Sequence, residues 1–167
     1  MQIPVALIKE LRNRTSSGVI ECKKALEEAE GDLSKAGEIL RERGLAKVEK
    51  KKDRVALQGL IEAYVHYGGR IGAMVEVNCE TDFVAKTDEF KTLAHNLVLQ
   101  VAATDPRFIS AAQIPEGEKL NPEEVCLLEQ PFIKDQTRKV GDLVTDVVAK
   151  VGEKVSVGRF ARFELGG

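Results

Sequence analysis

The chain has 167 residues, 43% of them hydrophobic and 31% charged, with a formal net charge of −2. This suits one compact domain, or a module of about 50 residues joined to a larger one. It excludes a global attraction for nucleic acid, and no apolar run approaches the ~20 residues that span a membrane.

Residues 1–45 read as three short helices. Pro4 suits a first turn, and Val5, Leu7, Ile8 and Leu11 form an apolar stripe up to Thr15. Lys9, Glu10 and Arg12 interrupt that stretch, so it is not a secretory leader. Ser16, Ser17 and Gly18 break the helix, with Ser17 as the expected cap of the next. Val19, Cys22, Ala25, Leu26 and Ala29 then recur at helical spacing as a buried stripe, and Ile20 lies off it. Leu33, Ala36, Ile39 and Leu40 mark a third helix, stopped by Gly44. Residues 46–57 follow as a charged helical linker, with Lys47, Lys50, Lys51, Lys52 and Arg54 against Glu49 and Asp53.

Residues 58–167 read as an α+β core. From Gly59 the period becomes two, and Ile61, Ala63 and Val65 alternate with Glu62, Tyr64 and His66. Gly68-Gly69 signals a two-residue hairpin, and the return strand over 70–79 puts Ile71, Ala73, Val75 and Val77 on one face. Thr87 is the expected cap of a helix whose stripe is Phe90, Leu93, Ala94, Leu97, Val98 and Val101. Asp88 and Glu89 favour its positive end. An irregular connection over 109–122 leads to a short buried strand over 125–130, a helix over 140–151 and a last strand over 154–164. That order fits a mainly antiparallel sheet with helices on one face.

Chemistry is sparse. There is no phosphate-cradling glycine loop, no G-x-S-x-G and no H-E-x-x-H. Cys22, Cys79 and Cys126 lack a C-x-x-C pair, so neither a disulfide framework nor a zinc site is expected, and a cytoplasmic protein without metal or cofactor is. A Cys79–His66 catalytic pair on adjacent hairpin strands stands against the commoner buried structural cysteine. The junction from Asn78 to Val84 has two readings. Either Phe83 folds back into the core while Asp82 caps a turn, or Phe83 projects as an aromatic interface anchor with Asp82 beside it. Ile20, near Leu11 or Arg12 of the preceding helix, is either a lone exposed side chain or part of a docking patch.

Thr15-Ser16-Ser17-Gly18-Val19-Ile20-Glu21-Cys22-Lys23-Lys24-Ala25-Leu26 resembles the N-terminal signature of the bacterial translation elongation factor Ts family. Val77 to Ala85 carries that family's T-D-F-V motif, and Leu128 to Lys134 and Arg159 to Glu164 resemble two further motifs in the family's order. The resemblance implies a three-helix module of ubiquitin-associated type before the α+β core. It also implies guanine-nucleotide exchange on elongation factor Tu without covalent catalysis. Thr81, Asp82, Phe83 and Val84 match the segment that dislocates the partner's magnesium ion. Leu11, Arg12, Val19 and Ile20 match the docking surface for the partner's GTPase domain. His66, Gly69, Arg70, Ile71 and Gly72 resemble a segment near the partner's nucleotide side. One core copy, where longer members have two, implies a homodimer through the core sheet that engages two partner molecules. Val19-Ile20 replace the family's usual two methionines, Ala161 excludes a disulfide that some short members form, and the connection from Ile114 to Glu124 is shorter than in many of them. The alternative is an RNA-binding adaptor, supported by 13 basic against 10 acidic side chains in the first 54 residues, a small excess for phosphate binding.

Overall fold

A computed structural model describes residues 2–167. Its elements, in chain order, are α1 (Val5–Thr15), α2 (Val19–Glu28), α3 (Leu33–Lys51), β1 (Gln58–Val65), β2 (Ile71–Cys79), α4 (Asp82–Ala85) and α5 (Asp88–Thr104). After a short 3-10 turn come α6 (Pro122–Val125), β3 (Pro131–Phe132), β4 (Asp135–Lys139), α7 (Val140–Val151) and β5 (Val155–Glu164). The class is α+β.

The first three helices close on Ile3, Leu11, Cys22, Ala25, Leu26, Ala36 and Leu40. Asp32 starts α3 by accepting from the amides of Ser34 (2.8 Å) and Lys35 (3.0 Å), which satisfies two donors that a helix leaves unpaired. The start of α2 departs from expectation: Gly18 is the N-cap, and Ser17 makes no side-chain cap bond. Val19 is the first helical residue, with no earlier turn to cover it, and is 52% exposed instead of lying in the buried stripe.

Gly44 does not end the third helix, which runs on to Lys51, so most of the charged segment is its last turns and not a separate linker. The glycine serves proximity. A Cβ at Gly44 would lie 2.8 Å from Thr145 Cγ2 on α7, so its absence lets the two helices meet. Beyond Lys51, the Lys154 ammonium donates to the Lys52 carbonyl (2.7 Å) and closes the helix end.

The main sheet is antiparallel in the order β1-β2-β5. Ala73, Val75, Val77 and Cys79 on the central strand are buried against Phe90, Leu97, Val98 and Val101 of α5 and Val144 and Val148 of α7. The apolar row Ile61, Ala63, Val65 does not enter this core. Leu60 and Tyr64 pack inward, and Glu62 reaches His95 of α5 (3.2 Å). The outward row instead aligns with β2 and β5, Ala63 opposite Met74 and Ala161, Val65 opposite Gly72 and Phe163. The hairpin loop is also longer than two residues. His66 N–H donates to the Ile71 carbonyl (2.8 Å) and Gly69 N–H to the His66 carbonyl (2.9 Å), which leaves Tyr67 to Arg70 as the loop. Gly68 (φ 90°) takes the left-handed third position of the turn.

The strand expected over 125–130 is not part of the sheet. Cys126 makes one parallel bridge with Phe108, turns follow, and Pro131 opens a small β3–β4 ribbon. The segment is apolar because Cys126 and Leu127 are buried, not because it pairs. Its polar groups are met by α5. Gln100 Nε2 donates to Gln130 Oε1 and to the Pro131 carbonyl (both 3.1 Å), while its Oε1 accepts from Ile133 N–H (2.9 Å). Gln130 in turn accepts from Thr104 Oγ1 (2.7 Å) and donates to the Glu124 carbonyl (2.9 Å). Both glutamines are buried, and each of their side-chain oxygens and nitrogens has a partner, the condition on which an apolar interior tolerates them. Among the described residues no helix is long and apolar enough to cross a membrane.

Candidate functional site

Where β2 ends, the chain leaves the core at buried Cys79 and forms the single turn α4. Thr81 is its N-cap, its Oγ1 accepting weakly from Val84 N–H at 3.4 Å. Val84 and Ala85 are buried, and the helical sweep therefore turns Asp82 and Phe83 to solvent. Phe83 is 79% exposed, which overturns the reading in which it folds into the core. Beside it, the Lys86 ammonium lies 3.0 Å from Asp82 and holds that carboxyl below its ordinary range by hydrogen bonding and charge. The junction thus presents an apolar ring next to an ionised carboxylate.

Two carboxylates brace this tip. Glu153, just past α7, accepts from Thr81 N–H at Oε1 (3.0 Å) and from Thr81 Oγ1 at Oε2 (2.8 Å). Glu80 accepts from Lys154 N–H (2.6 Å) and from Arg54 (3.3 Å), and its pKa falls, first because of the amide and then because of the guanidinium. Sequence spacing gave no hint of either contact, since the partners lie 72 and 74 residues apart.

The other expected site residues lie in two further patches. In the N-terminal helices Ile20 is 71% exposed, and Val19 and Arg12 also face solvent. Leu11 does not: at 1% exposure it belongs to the core of the three helices, because it sits on the α1 face that meets α2 and α3. At the hairpin loop His66, Gly69 and Arg70 are exposed, and Tyr64 Oη lies 2.9 Å from His66 Nδ1. Ile71 instead packs on the core, and Gly72 lies mid-sheet between Val65 and Phe163.

Cys79 and His66 lie at opposite ends of the hairpin. Cys79 pairs with Gln58, eight residues and roughly 26 Å of extended strand from His66. Burial, then the charge of Glu153, raises the Cys79 pKa, and its thiol donates to the Thr81 carbonyl (3.1 Å). It is a structural thiol, and the catalytic pair is excluded. The basic segment is also largely committed, with Lys47 paired to Glu21, Lys52 to Glu49 and Arg54 to Glu80. Among the described residues no cluster of three or more His, Cys, Asp or Glu is placed to hold a metal ion.

The comparisons with known proteins converge. The family model for Elongation factor TS matches residues 5–123. Elongation factor Ts of Thermotoga maritima is 47% identical over 194 residues, covering 99% of this chain and 98% of that protein. Elongation factor Ts of Heliobacterium modesticaldum is 48% identical, covering 98% and 90%. That of Carboxydothermus hydrogenoformans is 47% identical, covering 96% and 88%. With an outward Phe83 on the T-D-F-V turn and this similarity along almost its whole length, the chain belongs to the elongation factor Ts family and so to the translation elongation factors.

Proposed function

We propose that the chain is the guanine-nucleotide exchange factor for elongation factor Tu, acting in the cytoplasm on the GDP-bound partner. The observation that carries this reading is the braced, solvent-facing Phe83 with ionised Asp82 beside it. A desolvated aromatic anchor next to a polar contact is the usual composition of an interface hot spot. A GTPase holds GDP through phosphate-binding amides and a magnesium ion that bridges phosphate oxygens. Wedging Phe83 between partner helices beside that site, with Thr81 and Val84 forming the turn that carries it, shifts the elements that hold the ion. GDP affinity falls, and the factor's own contacts offset the loss. Linkage makes the coupling reciprocal, so each ligand weakens the other by the same factor and entering GTP resolves the nucleotide-free complex. This needs no covalent chemistry and no metal or cofactor on the exchange factor.

In this reading residues 1–45 are the docking module, with Arg12, Val19 and Ile20 facing the partner and Leu11 shaping that face from within. Residues 46–57 join it to the core of residues 58–167. His66, Gly69, Arg70 and Gly72 form a second contact at the hairpin end, with Ile71 anchoring it to the core. Homodimerisation through the sheet is part of the proposal. Its support is the uncovered face bearing Ile61, Val65, Met74 and Phe163, the last 76% exposed, an apolar patch of the kind that marks an interaction surface. Phe163→Glu is expected to convert a dimer to a monomer in light scattering, and a parent chain already monomeric at micromolar concentration refutes the dimer. The reading includes no direct nucleic-acid or membrane contact.

The deciding experiment is stopped-flow release of a fluorescent GDP analogue from elongation factor Tu, with excess unlabelled nucleotide. The parent chain is expected to accelerate release, and Phe83→Ala and Asp82→Ala much less so. No acceleration by the folded parent chain removes the proposal and brings the RNA-adaptor reading forward.

A further inference from the structure

We infer that the turn between α7 and β5 positions the Asp82–Phe83 tip, with Glu153 as its positioning residue for nucleotide exchange; this rests on the exchange reading above. The tip is weak on its own. A four-residue helix closes too few internal hydrogen bonds to offset the cost of nucleating it, and its cap contact is long. Left to itself, the turn would fray and Phe83 would sample many directions.

The structure supplies the missing order from outside. Gly152 ends α7 in the left-handed region (φ 72°), which turns the next residue back toward β2. Glu153 then meets Thr81 with both carboxylate oxygens, one on the backbone amide and one on the hydroxyl. The bidentate contact fixes both the position and the rotamer of the cap residue. Cys79 holds the Thr81 carbonyl from the other side. One residue before Thr81 and one after Glu153 the roles reverse, and Glu80 accepts from Lys154 N–H. Two neighbouring residues of one loop thus exchange carboxylates with two neighbouring residues of the other. Lys154 also reaches the Lys52 carbonyl, and Arg54 reaches Glu80, so the same turn ties the tip to the end of α3. No oxygen of Glu153 needs to touch a partner molecule for it to matter. Its effect runs through Thr81 to the aim of Phe83.

The test is a double-mutant cycle in the stopped-flow release assay, with the parent chain, Glu153→Ala, Phe83→Ala and the double variant, each shown folded by thermal melting. At saturating factor, Glu153→Ala is expected to lower the accelerated release rate about tenfold, a modest share of what misplacing a positioned group can cost. The concentration giving half-maximal release should change far less. In the Phe83→Ala background Glu153→Ala should add far less than its own tenfold, because most of its effect runs through the ring. Glu153→Gln keeps one oxygen for the Thr81 amide and should recover part of the rate, a pattern that simple destabilisation does not give. If Phe83→Ala is impaired while Glu153→Ala exchanges at the parental rate, or if the two losses multiply, the inference is overturned and the exchange reading stands. If Phe83→Ala matches an accelerating parent, exchange stands, its work lies at the docking face or the hairpin end, and this inference is overturned. If the folded parent itself gives no acceleration, the exchange reading fails and this inference with it. Should Glu153→Ala not fold, Glu153→Asp, which shortens the arm by one methylene and keeps its charge, carries the same cycle.

Discussion

A single methyl group at position 44 tests how the N-terminal helices are held to the core. Gly44 lies inside α3, where alanine is ordinarily favoured by ~1 kcal/mol. Here the added Cβ would stand 2.8 Å from Thr145 Cγ2. Thr145 cannot simply swing away, because its hydroxyl donates to the Gly141 carbonyl (3.1 Å), which fixes its rotamer. Overpacking of this kind costs ~1–3 kcal/mol. Set against the propensity gain, Gly44→Ala should destabilise the chain by about 1 kcal/mol, or roughly 2–4 °C in Tm at this length. Thr145→Ser removes Cγ2 and keeps the hydroxyl bond. In that background the sign should reverse, and Gly44→Ala should stabilise by ~0.5–1 kcal/mol. Differential scanning calorimetry of the four proteins measures both steps. A rise in Tm for Gly44→Ala in the parent background, or equal shifts in the two backgrounds, would refute the close-approach argument.

Three further outcomes are expected. Gln100→Leu keeps side-chain volume but orphans Ile133 N–H and the Pro131 carbonyl, so urea unfolding should show a loss of about 2–5 kcal/mol; a loss below ~1 kcal/mol counts against the buried network. Glu80 has a folded pKa below its ordinary 4.5, so its stabilisation is present above pH 4.5 and lost as pH falls through the folded value. Glu80→Gln should therefore flatten the acid limb of the stability profile by up to one proton's slope, and an unchanged limb speaks against the Lys154 contact. Cys22, Cys79 and Cys126 are buried with pKa values raised first by desolvation, so alkylation near neutral pH should be slow in the folded chain and fast in denaturant. Rapid labelling of native Cys79 would contradict its assignment as a structural thiol.

Much of this protein was legible in the sequence because it is written in local terms. The Thr87 cap and the stripe from Phe90 to Val101 gave α5, Gly152 gave the end of α7, and alternation gave the β1–β2 hairpin. Burial and periodicity also located the 125–130 segment in the interior, but not its pairing, because an apolar run buried by loops looks the same as one buried in a sheet. Gly44 misled for a related reason. A helix-ending glycine and a glycine that lets two helices touch are identical until the second helix is placed. At the site, the residue pattern from Asn78 to Val84 announced an acidic–aromatic junction, yet left open whether Phe83 faced the core or solvent.

The tertiary structure decided that question. Burial of Val84 and Ala85 under the sheet edge leaves the helical turn one direction in which to send Phe83. It also decided that Leu11 is core and Val19 is surface, and that the row Ile61, Ala63, Val65 looks away from the helices. The bracing of the tip by Glu153 and Glu80 belongs wholly to this level. Propensity, caps and periodicity act over a few residues and are carried by the sequence itself, whereas contacts between groups more than seventy positions apart exist only once the chain has closed on itself.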